Sequence, residues 1–153
     1  MPKLLEFKDG VRVAGHPLHT ILIHLPIALL FLVPPLEAAG WLGGWPECWR
    51  LAFFAQAAGL LAAVPAAATG LVDLTAQSAK PGIASLGNLH MLAMSGAVSL
   101  FGLSLYLKGG TAPVPPPGLF AILALSLAAS ALLVWGGWLG GEMVFRHGAG
   151  SRN

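Results

Sequence analysis

Uncharged, mostly apolar stretches divide this chain into four blocks: Pro17 to Leu36, Leu51 to Val72, Pro81 to Leu107 and Gly109 to Gly141. Each reaches the roughly 20 residues that a helix needs to cross about 30 Å of hydrocarbon. None alternates apolar with polar positions, as a barrel strand does, and a backbone without water must satisfy its own amides, so the blocks read as helices. The fourth helix starts near Gly118, because Thr111-Ala112-Pro113-Val114-Pro115-Pro116-Pro117-Gly118 favours a stiff extended connection. The predicted helices span about 17–42, 49–74, 84–107 and 118–145, within a domain covering 15–148. Residues 1–14 form a cytoplasmic or interfacial segment, with Leu4, Leu5, Phe7 and Val11 available to rest on the membrane surface, and residues 149–153 form a tail. The fold class is all-α: an integral membrane four-helix bundle, up-down-up-down, with Pro26 and Pro65 placed to kink the first two helices. No repeat suggests a solenoid or two transporter halves. Gly-Trp-Leu-Gly-Gly occurs at 40–44 and at 137–141, but the first copy ends a span and the second lies inside one, so the match reads as coincidence.

Composition agrees with a bilayer as solvent. Of 153 residues, 56% are hydrophobic and 9% charged, against about a quarter charged in soluble domains. A net charge of +2 with scattered carriers gives no basic patch for nucleic acid. Cys48 stands alone, and no C-x-x-C-H run offers covalent haem attachment. Lys3, Lys8 and Arg12 precede an apolar run, as in a signal peptide, but that run is long, contains Pro34 and Pro35, and is followed by three more spans. Lys3, Lys8, Arg12, Lys80, Arg146 and Arg152 fall on the side of both termini, against Arg50 and Lys108 on the other. This bias predicts cytoplasmic termini, and Trp41, Trp45 and Trp49 then mark the outer interface.

All five histidines gather near the cytoplasmic side. His16, His19 and His24 open the first helix, His90 opens the third and His147 follows the fourth. At about 1.5 Å per residue, His24 lies about 10 Å and His90 about 9 Å below their helix starts. Two imidazoles at one level on different helices suit a bis-histidine b-type haem, and ionisable residues inside a membrane are functional candidates. His16 is placed to cap the helix that Pro17 begins. His19 is displaced by about 140° from His24 around the helix, so the two face one compact site only if the helix distorts.

Further candidates surround these. Gly136, Gly137, Gly140 and Gly141 permit a backbone or a flat cofactor to approach closely. Glu142 can ligate a metal, accept a proton or pair with Arg146 one turn on. Asp73 can orient a ligand histidine or cap the next turn. Arg12, Lys80 and Arg146 can neutralise haem propionates, though positive-inside bias also explains them. Met91 and Met94 can offer sulfur to iron or copper, or pack the core. Phosphate loops, nucleophile elbows and paired carboxylates are absent from the sequence, which leaves hydrolysis and group transfer unsupported.

His16-Pro17-Leu18-His19 with His24-Leu25-Pro26-Ile27-Ala28, Thr69-Gly70-Leu71-Val72-Asp73, His90, and Gly137-Trp138-Leu139-Gly140-Gly141-Glu142 with Arg146-His147-Gly148 resemble the domain-of-unknown-function 2231 family of bacterial membrane proteins. The likeness covers nearly the whole chain. It implies a multi-pass protein of the bacterial inner membrane. Some relatives are joined to Rieske-type domains, which implies redox company and, for this chain, a separate partner.

The resulting expectation is a membrane haem-b electron carrier, or a small subunit of a respiratory or redox complex, rather than a stand-alone catalyst. His24 and His90 form the axial pair, with His19 and His147 next, Arg12 and Arg146 at the propionates and Gly137 and Gly140 beside the ring. A Rieske-type or cytochrome protein, a quinone, membrane lipid and further subunits are the candidate partners. One alternative is a non-haem copper, iron or zinc site drawn from His16, His19, His24, His90, His147 and Glu142. Another is a structural or assembly subunit without cofactor.

Overall fold

The computed structural model describes residues 5–6, 10–80, 82–113 and 118–150. Three two-residue strands, β1 (Leu5–Glu6), β2 (Arg12–Val13) and β3 (His16–Pro17), form an antiparallel sheet in sequence order. Four spans follow. The first is segmented into α1 (Leu18–Leu22), α2 (His24–Phe31) and α3 (Val33–Leu42). The others are α4 (Pro46–Gln77), α5 (Ile83–Lys108) and α6 (Gly118–His147). All four are long and apolar enough to cross a membrane.

Proline explains the segmentation. Pro26 has no N–H for the Leu22 carbonyl, and Pro34 and Pro35 have none for Leu30 and Phe31, so the helical ladder is interrupted just before each site. The chain bridges both breaks with Ile27 N to Ile23 O at 3.1 Å and Leu36 N to Leu32 O at 3.2 Å. In α4, by contrast, Pro65 sits within an unbroken helix. That helix also starts earlier than its charge-free run, because Pro46 is well placed in a first turn.

Large apolar side chains cover the outside, among them Leu61, Leu92, Leu127 and Phe145, as lipid contact requires. The interior mixes large apolar, small and polar residues at alternating intervals of three and four. In α4 it uses Trp49, Ala52, Gln56 and Gly59, and in α6 Leu119, Ile122, Ser126, Ala129, Leu133 and Gly136. That spacing is the seam of a left-handed bundle. The first span packs along α4, α5 packs most extensively on α6, and α4 also meets α5. The first span and α5 therefore stand diagonally across the bundle.

The two halves repeat each other, although the sequence pattern gives no sign of it. Adding 71 to buried positions of the first span leads to buried positions of α5: Leu30 to Phe101, Val33 to Ser104 and Glu37 to Lys108. Adding 70 carries α4 onto α6: Trp49 to Leu119, Ala52 to Ile122, Gln56 to Ser126, Gly59 to Ala129 and Ala66 to Gly136. Most of these buried places are filled by different side chains, so the correspondence shows chiefly in burial register. The Gly-Trp-Leu-Gly-Gly copies do not follow this offset.

At the terminal end the small sheet and the C-terminal tail are clasped together. Val11 donates its N–H to Asp73 Oδ1 at 2.8 Å, and Arg12 Nη2 donates to the Gly150 carbonyl at 2.6 Å. Gly150 N–H in turn reaches Gln77 Oε1 at 2.7 Å. Val11 and Arg12 are buried, which replaces the expected surface-resting segment at those positions. Leu4 and Phe7 lie outside the described residues.

Candidate functional site

The structure places His19 and His90 on the two diagonal spans, toward the end where Arg12 meets Gly150. His19 Nδ1 is 2.8 Å from the Ala66 carbonyl of α4, and His90 Nδ1 is 2.7 Å from the Gly136 carbonyl of α6. A carbonyl oxygen only accepts, so each Nδ1 carries a proton, and in the neutral tautomer that arrangement leaves the lone pair at Nε2. The two arrangements are equivalents in the repeat: His19 with Ala66 in one half, His90 with Gly136 in the other.

Glycine completes each copy. A Cβ at Gly70 would come within 2.7 Å of His19 Cε1, and one at Gly140 within 3.4 Å of His90 Cε1. Gly70 and Gly140 are again 70 positions apart and one turn beyond the accepting carbonyls. The ring of His19 therefore lies against bare backbone, with more freedom at His90.

The other expected residues have different surroundings. His24 is exposed, and its Nδ1 faces the Ile21 carbonyl of its own turn at 3.3 Å. Depth matched it with His90, but the face of the helix is wrong, and His19 takes the inward position. His16 is exposed and bonds Ala14 O at 3.2 Å, while Pro17 holds the cap position that His16 was expected to fill. The His147 ring lies over Gly82, docking the end of α6 onto the turn between α4 and α5. Glu142 pairs with Arg146 at 2.9 Å. The guanidinium of Arg12 is committed to the Gly15 and Gly150 carbonyls rather than turned to a ligand. Asp73 holds Val11, not a histidine. Gly140 adjoins His90, whereas a side chain at Gly137 would meet nothing within 4 Å. Met94 packs over Gly136, and Met91 is exposed. Among the described residues no three His, Cys, Asp or Glu side chains converge on a common point.

A second polar cluster, absent from the sequence reading, occupies the opposite end. Lys108 Nζ lies 2.6 Å from Glu37 Oε1, with both side chains fully buried. Lys108 also donates to Gln56 Oε1 and stands 5.7 Å from the centre of the Trp49 ring. Ser126 donates to Glu37 Oε1 at 3.1 Å and shares a 3.0 Å hydrogen bond with Ser104. Gln56 Nε2 anchors on the Phe101 carbonyl at 2.6 Å. The repeat governs this cluster too, since Ser126 serves Glu37 from the place where Gln56 serves Lys108. Lys108 is therefore not an outer surface charge, and Trp49 is a core residue rather than an interfacial one, while Trp41 and Trp45 are exposed. The signal available in the sequence was the pairing of one acid with one base at the same end of two spans, both of which need partners in an apolar medium.

Residues 15–153 match the family described as predicted membrane protein (DUF2231), and the chain belongs to that family. No curated protein and no solved structure matches it.

Proposed function

We propose that this family member is a haem-b-binding membrane redox protein, an electron carrier or small subunit of a redox complex, with His19 and His90 as axial ligands. One observation carries the reading: two imidazoles occupy equivalent places on diagonal spans, each holding Nδ1–H on a neighbouring carbonyl and leaving Nε2 for a ligand. Metal-bound histidines commonly donate their second N–H in this way, which fixes the tautomer and raises basicity. A bis-imidazole haem needs two protein ligands. Closed non-haem sites usually gather three or four, and among the described residues no such group exists, so haem is favoured over copper, iron or zinc held by side chains alone.

Bound iron would supply one-electron chemistry. The protein's own part is to orient both rings, to keep them neutral at Nε2, and to surround them with helices. Gly70 and Gly140 remove side chains beside the rings, which lets each imidazole seat against the neighbouring helix. Positive-inside bias assigns this end to the cytoplasmic leaflet of a bacterial inner membrane. A Rieske-type or cytochrome protein in the water, or a quinone in the bilayer, would there be within reach as electron partner.

Protein purified in detergent after expression with ample haem tests this. The expected spectrum has a Soret band that sharpens and shifts on dithionite reduction, at one haem per chain, with a low-spin ferric signal in electron paramagnetic resonance. A colourless, folded protein that takes up no added haem would refute it and leave the histidines as interhelical glue.

A further inference from the structure

The cluster at the opposite end contains an atom that its structural role leaves unused. Glu37 Oε1 receives both Lys108 and Ser126. Glu37 Oε2 is buried and, among the described residues, has no hydrogen-bond partner. The indole Nε1 of Trp49 is buried in the same condition. A bare carboxylate oxygen in an apolar medium is costly unless something binds it.

A cleft lies beside the cluster, with Trp49 between it and Lys108. Trp49 forms one wall of an open cleft of about 340 Å³ at the connecting-loop end, whose other walls include Gly40, Trp41, Pro113 and Leu119. Gly40 stands three residues after Glu37, on the neighbouring surface of the same helix. The Trp49 N–H is a donor and Glu37 Oε2 an acceptor, so water entering from the cleft finds complementary groups at the indole and the carboxylate.

We propose that Glu37 is a proton-exchanging carboxyl group, loaded at Oε2 by water that enters through the Trp49 cleft. The proton leaves a hydronium ion, forms an O–H bond at Oε2, and leaves the Lys108 ammonium unchanged. Lys108 keeps two partners that do not depend on the carboxylate charge: the Gln56 amide oxygen and the face of Trp49. The groups facing the carboxyl are Lys108 from α5 and Ser126 from α6, with Gln56 and Trp49 of α4 holding Lys108. The site is independent of what His19 and His90 bind.

Infrared difference spectroscopy of the full chain in lipid nanodiscs, stepped between about pH 4 and pH 9, reads the proton directly. Acidification is expected to raise a protonated-carboxyl C=O band that shifts in heavy water and is missing in Glu37→Gln but present in Glu142→Gln. Should Glu37→Gln fail to assemble, Glu37→Asp serves instead, and the band must change frequency. Trp49→Phe keeps an aromatic ring near Lys108 but thins the wall between the cleft and the carboxyl, and should speed hydrogen–deuterium exchange of the band several-fold. The proposal is overturned if no band depends on residue 37 across that range, and its route is overturned if Trp49→Phe exchanges no faster than the wild type.

Discussion

Glu37 and Lys108 meet at 2.6 Å across the diagonal of the bundle, and each stands eighteen residues after a histidine that faces the same diagonal. Eighteen residues are five full turns of an α-helix, about 27 Å of rise. His19 and Glu37 thus share one face of the first span, and His90 and Lys108 share one face of α5. The same two helices carry an imidazole pair at one end of the bundle and an ion pair at the other, related by the internal repeat.

Breaking the ion pair from one side should damage the bundle more than removing it whole. Lys108→Met leaves Glu37 uncompensated in a fully buried place, and should destabilise by roughly 3–5 kcal/mol. Glu37→Leu combined with Lys108→Met should recover a large part of that loss. Unfolding titrations in detergent micelles measure both, and equal losses in the single and double variants would show that the pair is not the source.

Glycine substitutions should sort by what they meet. Gly70→Ala puts a Cβ 2.7 Å from His19 Cε1 and must displace the ring from Ala66 O, reducing haem occupancy or altering the spectrum. Gly137→Ala meets nothing within 4 Å and should leave the spectrum unchanged. Gly136→Ala meets the flexible end of Met94 at 2.5 Å, which can swing aside, so its effect should fall between the two. Haem stoichiometry and the Soret position of the three variants provide the comparison.

The terminal clasp should open as a unit. Arg12→Lys cannot reproduce two guanidinium bonds to separate carbonyls, and Asp73→Ala removes the acceptor for Val11 N–H. Each should cost about 1–3 kcal/mol locally and increase deuterium uptake over both residues 10–17 and 148–150, with the four spans still protected. Uptake confined to one of the two segments would contradict the coupling through Arg12.

The four spans were legible because length and apolarity alone define them, and the proline-rich 111–118 stretch fixed the start of the last. The facing of each helix was not. Leu, Val and Phe occur on the lipid side and on the inside alike, where Ala, Gly and a few polar residues join them, so no polar face marks the outside as it does in water. Depth singled out His24 beside His90, but depth says nothing about azimuth. Glu37 and Lys108 held the missing information: two buried opposite charges must meet, and five turns back from each lies His19 or His90, not His24. The correspondence stayed hidden because most matched places carry unlike residues, such as Trp49 with Leu119 and Glu37 with Lys108, while His19 with His90 and Gly70 with Gly140 are alike. The accepting carbonyls of Ala66 and Gly136 are backbone groups that no sequence motif announces.

Absorption spectra of wild type, His19→Ala, His90→Ala and His24→Ala, prepared side by side with the same haem supply, test the central claim most directly. A pair at 19 and 90 predicts that either inner variant loses the low-spin reduced spectrum or drops to a five-coordinate one, while His24→Ala matches the wild type. A spectrum that survives both inner substitutions, or one that vanishes with His24→Ala alone, would contradict it.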